Sequence, residues 1–271
     1  MRSIIQYNEL WRVLHQKKRS GGVDWDKRAH SFFRTVSGST EAETLLPSLN
    51  LTDSDTVLDM GAGTGRFAIP FARFVRHVTA LEPSVEMGSY LEKGMKEAGL
   101  TNYSIVRKRW EDVEIGKDIP VHDIVFASNS LGFSDLAKGL EKLDAVAKKA
   151  VHLLWFAGPE RHPMDPELKK RLRRENDSAF QPDYIIIAHV LHDIGIYANI
   201  RIDPIKTRHR YDNLEEAVMW WSERGDISPD EIPILRTFLS EILERTDDDR
   251  LVMQRSRYRA RIWWEKENRA E

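Results

Sequence analysis

The feature that most constrains this chain is a glycine-rich bend between an apolar run and a helical stretch, Val57-Leu58-Asp59-Met60-Gly61-Ala62-Gly63-Thr64-Gly65. Alternating glycines at the end of a strand let the backbone turn sharply and approach a ligand without Cβ clashes. Their spacing separates two kinds of ligand. A dinucleotide fingerprint needs G-x-G-x-x-G, so that a pyrophosphate can rest on the following helix. Here Arg66 stands where the third glycine belongs, and that glycine comes a residue early, at Gly65. Asp59 adds a carboxylate beside the loop, which would repel a pyrophosphate and suits a cationic ligand such as an amino-acid moiety or a sulfonium. A second acid, Glu82, closes the next predicted strand and is followed by Pro83. A carboxylate in that place can accept both hydroxyls of a ribose.

Around the loop, short apolar runs alternate with helical stretches. Thr56–Met60, Val78–Glu82, Tyr103–Val106, His122–Ala127 and Val151–Phe156 read as strands, and Phe67–Val75, Val85–Ala98 and Leu136–Ala150 as helices between them. This alternation predicts an α/β fold with a parallel sheet covered on both faces, binding its ligand at the carboxyl ends of the strands. Before the first strand, residues 1–46 read as a helical extension: an amphipathic stripe broken at Ser20-Gly21-Gly22, then a second helix that Asp24 can cap. Beyond Gly158 the pattern loosens, with a basic stretch over Lys169–Arg174, helices over Tyr184–Gly195, Leu214–Glu223 and Asp230–Arg245, and strands over Tyr197–Pro204 and Leu251–Trp264.

In order and spacing, Asp59–Gly65, Leu81-Glu82-Pro83-Ser84, Trp110-Glu111-Asp112 and His122–Ala127 resemble the class I S-adenosylmethionine-dependent methyltransferases over residues 50–160. The segment His189–Asn199 is similar to one in uncharacterised prokaryotic members. The resemblance implies a Rossmann-like sheet of seven strands, the last antiparallel and inserted beside the fifth, with helices on both faces and an N-terminal helical extension or lid. It implies a methyltransferase domain over residues 47–271, S-adenosylmethionine as cofactor and S-adenosylhomocysteine as product. The implied cofactor residues are Asp59, Gly61, Ala62, Gly63 and Gly65 around the methionine part, Glu82 and Pro83 at the ribose, Trp110 and Glu111 at the adenine, and Ser128. The family usually has an Asp where Arg109 or Trp110 falls. This leaves open whether Glu111, Asp112 or the backbone reads the adenine amino group, and whether Trp110 stacks on the base or packs in the core.

Methyl transfer from a sulfonium is an in-line displacement in which the protein mainly aligns donor and acceptor. The candidates for acceptor chemistry are Asn129, His189 and His192. Asn129-Ser130-Leu131-Gly132 lacks the Asn/Asp-Pro-Pro-aromatic motif of enzymes that methylate planar amines, and Ser128 and Asn129 either touch substrate or hold the loop. His189, His192 and Asp193 share one helical face, with His209 further on; the reading adopted is histidines bonded to backbone, with no metal, and a general base before a ligand. Trp25, His30 and Phe33 either form a lid or simply pack. The absence of cysteine rules out disulfides, thiolate metal sites and a Cys nucleophile, and with them the cytosine-C5 and arsenic types of methyltransferase.

Lys+Arg 41 against Asp+Glu 43 gives a formal charge of -2, which is no footprint for nucleic acid or anionic membrane. No apolar run approaches the roughly 20 residues that span a bilayer, and the start turns polar too soon for a signal peptide. The expected protein is therefore cytoplasmic, acts on a small-molecule acceptor, and engages neither nucleic acid nor membrane. The alternatives are an RNA or protein methyltransferase using Lys169–Arg174 and Arg255–Arg261, and a non-catalytic scaffold that keeps the cofactor fold. Nothing in the sequence sets an oligomeric state.

Overall fold

A computed structural model describes residues 5–19, 23–158, 165–174 and 183–266. The predicted break at Ser20-Gly21-Gly22 and the start of the polar stretch after Gly158 lie outside the described residues. In chain order the elements are α1 (Tyr7–Arg19), α2 (Trp25–Val36), α3 (Glu41–Leu45), β1 (Thr56–Met60), α4 (Ala68–Ala72), β2 (His77–Leu81), α5 (Val85–Glu97), β3 (Tyr103–Val106), β4 (His122–Ser128), α6 (Leu136–Val146), β5 (Ala147–Ala157), α7 (Pro166–Arg171), α8 (Tyr184–Asp193), β6 (Asn199–Tyr211), α9 (Leu214–Gly225), α10 (Ile232–Ile242), β7 (Glu244–Arg245) and β8 (Leu251–Glu265). The strands are hydrogen-bonded in the order β3-β2-β1-β4-β5-β8-β6, with the short β7 attached to β8. Apart from that two-residue addition, this is the expected seven-stranded mixed sheet, its last strand antiparallel and lying beside the fifth.

The described residues fall into two compact units, within the ranges 1–156, 182–203 and 260–271, and 157–181 and 204–259. In the first, β1 lies between β2 and β4, parallel to both, with Met60 opposite Leu81 and Ala127. Covered on both faces, β1 is a continuous buried run over Val57–Met60, as central parallel strands are. Asp59 is the charged member of that run. Phe126 carries the core on one face, with Phe67 at 4.7 Å and Phe71 at 5.0 Å between ring centroids. α1 packs on α6 and α8, where Trp11 is buried and donates its Nε1 hydrogen to Phe133 O at 2.9 Å. Capping follows the sequence: Asp24 accepts from Lys27 N at the start of α2, and Ser84 from Met87 N at the start of α5.

The second unit has its own core, in which Leu168, Tyr211, Trp221, Leu235, Phe238 and Met253 are buried together. Trp221 Nε1 donates to Tyr211 Oη at 3.2 Å.

Several element boundaries differ from the sequence reading, and three of the differences have a clear physical reason. The helix predicted over Leu136–Ala150 stops at Val146, and Ala147–Ala150 join β5. Ala147 pairs with His122 and Ala150 with Ile124, so strand pairing overrides the helical preference of an Ala-Lys-Lys-Ala sequence. The helix predicted over Asp230–Arg245 ends at Ile242. Leu243 is extended, and Glu244 and Arg245 turn back to pair with Val252 and Leu251. β6 runs on past Pro204 to Tyr211, which a terminal strand tolerates because its outer edge needs no backbone donor.

Candidate active site

The carboxyl ends of β1, β2 and β4 lie side by side, so the segments that follow them meet. The glycine loop is pinned at its start, where the Gly61 and Ala62 amides both donate to Leu81 O, at 2.8 and 3.1 Å. Gly61 has φ +75° and Gly63 φ +58°, in the left-handed region that glycine enters without cost. At Gly61 the space is also missing. A Cβ there would lie 2.3 Å from Ser130 Cβ, whose hydroxyl donates to Met60 O at 2.5 Å. The chain after β4 thus presses directly on the loop after β1.

Glu82 ties the loop to the next turn. Its Oε2 accepts from Gly63 N and its Oε1 from Ser84 N, both at 2.8 Å. A carboxylate has about four acceptor positions, so two bonds still leave it room for a diol. Burial raises the pKa of Glu82, the two amides oppose that rise, and Asp26 adds to it.

Asp59 is 2% exposed. Burial pushes its carboxyl up to about 7, against the pull of Arg66 and with a further push from Glu82. Its Oδ2 has no hydrogen-bond partner among the described residues. The same holds for two other buried atoms of this neighbourhood, Thr64 Oγ1 and Asn129 Oδ1. Buried polar atoms without partners cost roughly 1–3 kcal/mol each, so three around one loop mark a place built for a polar ligand. Asn129 itself holds a left-handed backbone, φ +54°. Arg66, drawn down to about 10 by burial, stays cationic and bonds Glu41 Oε2 and Ser128 Oγ, both at 3.0 Å.

A family profile described as a methyltransferase domain matches residues 57–150, which include the loop, Glu82 and β4. An uncharacterised protein of Haemophilus influenzae is 30% identical over 248 residues, covering 89% of this chain and 88% of that one. Among solved structures, the YcgJ protein of Bacillus subtilis superposes with a TM-score of 0.53 at 18% identity, covering 82% of this chain and 97% of its own. A candidate methyltransferase of Bacillus halodurans superposes equally, with a TM-score of 0.53 at 15% identity, covering 84% of this chain and 99% of its own. The chain belongs to the class I S-adenosylmethionine-dependent methyltransferases. Its cofactor is S-adenosylmethionine, and its reaction is methyl transfer.

The other sequence candidates of this methyltransferase fall in several places. Pro83 is exposed between Glu82 and the cap of α5, and Ser128 ends β4 under Arg66. Trp110 is 4% exposed, donates Nε1 to Gly139 O at 3.2 Å and has Lys142 Nζ at 4.7 Å from its ring centroid. Glu111 is exposed, and Arg109 pairs with Asp112 at 2.8 Å. His189 on α8 bonds through Nδ1 to Ile185 O at 2.8 Å and stacks on Tyr7 at 4.0 Å. His192 is exposed, with Asp193 at 3.8 Å and Tyr197 against its edge. His209 belongs to the second unit, beside Trp220. Among the described residues no three His, Asp or Glu are grouped to hold a metal ion.

Sequence reasoning named Trp25, His30 and Phe33 of α2 as lid or packing residues, and it missed Asp26 and the approach of Phe32 to the loop. Asp26 accepts from Ser84 Oγ at 2.7 Å and from Glu86 N at 3.0 Å. Phe32 Cε1 comes within 3.5 Å of a Cβ built on Gly63. Phe33 stacks on Tyr90 at 4.7 Å, and His30 Nδ1 bonds Tyr90 Oη at 2.9 Å. Phe32 thus reaches the loop, while His30 and Phe33 fasten α2 to α5. The only signal in the sequence was the aromatic spacing along α2.

Proposed function

We propose that this methyltransferase transfers the methyl group to a small molecule, using a cradle built from the glycine loop, Asp59, Glu82 and the segment Ser128–Ser130. The observation that carries this reading is the trio of buried atoms without partners, Asp59 Oδ2, Thr64 Oγ1 and Asn129 Oδ1, around a loop shaped by glycines at positive φ. The bound cofactor supplies an electrophilic methyl on a sulfonium. Asp59 takes the ammonium of the methionine part, which also relieves the cost of its own buried charge. Glu82 accepts the ribose hydroxyls on the lone pairs that Gly63 and Ser84 leave over. The backbone of Trp110 and Glu111 borders the adenine, with the Trp110 indole held in the core. Asn129 stands where β4 meets the loop and offers its side-chain oxygen to an acceptor N–H or O–H. In-line displacement then asks mainly for alignment and exclusion of water.

The small-molecule reading is supported by charge. The formal net charge is -2, and in the basic stretch Arg171 pairs with Glu241 while Arg174 pairs with Glu231. Those two arginines are committed within the protein and are poor candidates for gripping a polyanion. No helix among the described residues is long and apolar enough to cross a membrane; a cytoplasmic setting accords with the small-molecule reading.

The test is transfer of label from S-adenosylmethionine labelled in its methyl group to separated small-metabolite, RNA and protein fractions of a bacterial extract. Label in the small-metabolite fraction, lost with Asp59→Ala, is expected. Label confined to RNA or protein would overturn the small-molecule acceptor. Tight cofactor binding without transfer to any fraction would make the chain a scaffold.

A further inference from the structure

The guanidinium of Arg66 is largely buried beside the loop. It bonds Glu41 Oε2 at the start of α3 and Ser128 Oγ at the end of β4, and it is the cation that acts on Asp59. The other ionisable groups around the loop are acidic: Asp59 and Glu82 are buried, and Asp26 acts on Glu82. An amino-acid ligand carries an ammonium and a carboxylate on one carbon. Seating its ammonium on Asp59 brings its carboxylate within a few ångströms of the same acids. Burying a further anion there is unfavourable unless a cation meets it.

We infer that Arg66 is the receptor for the carboxylate of the cofactor's methionine part, and that Glu41 is an internal carboxylate competing for the same guanidinium. The inference rests on the assignment of Asp59 to the ammonium. Its physical basis is the mismatch in the present pairing. A guanidinium offers five N–H donors and prefers a carboxylate in a two-pronged grip. Glu41 reaches it through one oxygen at one nitrogen, Oε2 to Nη1 at 3.0 Å. The side chains of Arg66 and Glu41 keep 16% and 25% of their surface, so an incoming carboxylate has an approach to the pair. A ligand able to grip Nη1 and Nη2 together is the better partner, and its gain is reduced by the work of displacing Glu41.

The experiment compares two ligands that differ only in the group at issue. S-adenosylhomocysteine has both amine and carboxylate; S-adenosyl-3-thiopropylamine keeps the amine and lacks the carboxylate. The unmodified protein is expected to prefer the first by about tenfold or more, the worth of a charge-assisted pair. Arg66→Gln should erase that preference, and Arg66→Lys should restore part of it. Glu41→Gln should tighten S-adenosylhomocysteine severalfold and leave the amine analogue unchanged, and this variant keeps the test alive should changes at the buried Arg66 prevent folding. Equal loss of both ligands in Arg66→Gln, or weaker binding of both in Glu41→Gln, would show a purely structural pair and overturn the inference. Failure of the unmodified protein to bind either ligand would instead overturn the cofactor-site assignment on which it rests.

Discussion

Replacing Asp59 by Asn should stabilise the protein at alkaline pH while damaging its site. Burial lifts the Asp59 carboxyl from 3.8 to about 7, and each unit is worth about 1.4 kcal/mol. Holding the ionised group in the fold therefore costs about 4 kcal/mol above neutrality. The direction follows from proton counting. Between pH 4 and 7 the folded carboxyl keeps its proton while the unfolded one has lost it, so stability falls as pH rises through that window. By pH 5 the wild type regains about 3 kcal/mol of the penalty. Asparagine carries no charge and shows none of this dependence. Its amide N–H group costs roughly 1–3 kcal/mol if it finds no partner, leaving a net gain of about 1–3 kcal/mol at pH 8. Urea unfolding of both proteins at pH 5, 6.5 and 8 reads the difference directly, and other titrating groups cancel between them. A difference that does not change with pH would refute the view of Asp59 as a carboxylate buried at a cost. Isothermal titration of the same Asn variant should show S-adenosylhomocysteine binding weakened at least tenfold.

Glu82→Ala should also weaken S-adenosylhomocysteine at least tenfold, about 1.4 kcal/mol, and should lower the melting temperature because the Gly63 and Ser84 amides lose their acceptor. His152 is buried on β5, with neither ring nitrogen partnered among the described residues; burial and then Arg261 depress its pKa to about 3. The unfolded imidazole takes up a proton near pH 6.5, so stability should fall as pH drops from 6.5 towards 3, and His152→Leu should flatten that slope in acid unfolding curves. Trp110→Phe removes the bond to Gly139 and should cost about 1 kcal/mol in urea unfolding. Cofactor affinity should change less than threefold if the ring is core, whereas a tenfold loss would place it on the adenine.

The parts of the fold legible in the sequence were those whose pattern is local. β1 and β2 read as strands because each is a short apolar run, and the loop between β1 and α4 was marked by its glycines. The start of β5 was hidden because Ala147-Lys148-Lys149-Ala150 favours a helix until β4 supplies its pairing partner. The turn into β7 was hidden for the same reason, since Glu244 and Arg245 become a strand only against β8. In the candidate site, Asp59, the glycines and Glu82 were named from position alone. The contacts of Ser130 with Gly61, Asp26 with Ser84 and Glu41 with Arg66 join residues far apart in sequence, and no spacing announces them. Arg66 was visible only as the residue that spoils a dinucleotide fingerprint. The fold makes it the cation beside Asp59.

The most direct test of the account is isothermal titration of the purified protein, shown to be folded and free of bound ligand, with S-adenosylhomocysteine and with NADH. One-to-one binding of S-adenosylhomocysteine at micromolar concentration, about -8 kcal/mol, with no response to NADH, is the predicted result. Tight binding of NADH, or no binding of S-adenosylhomocysteine, would contradict the assignment of the glycine loop, Asp59 and Glu82 to this cofactor.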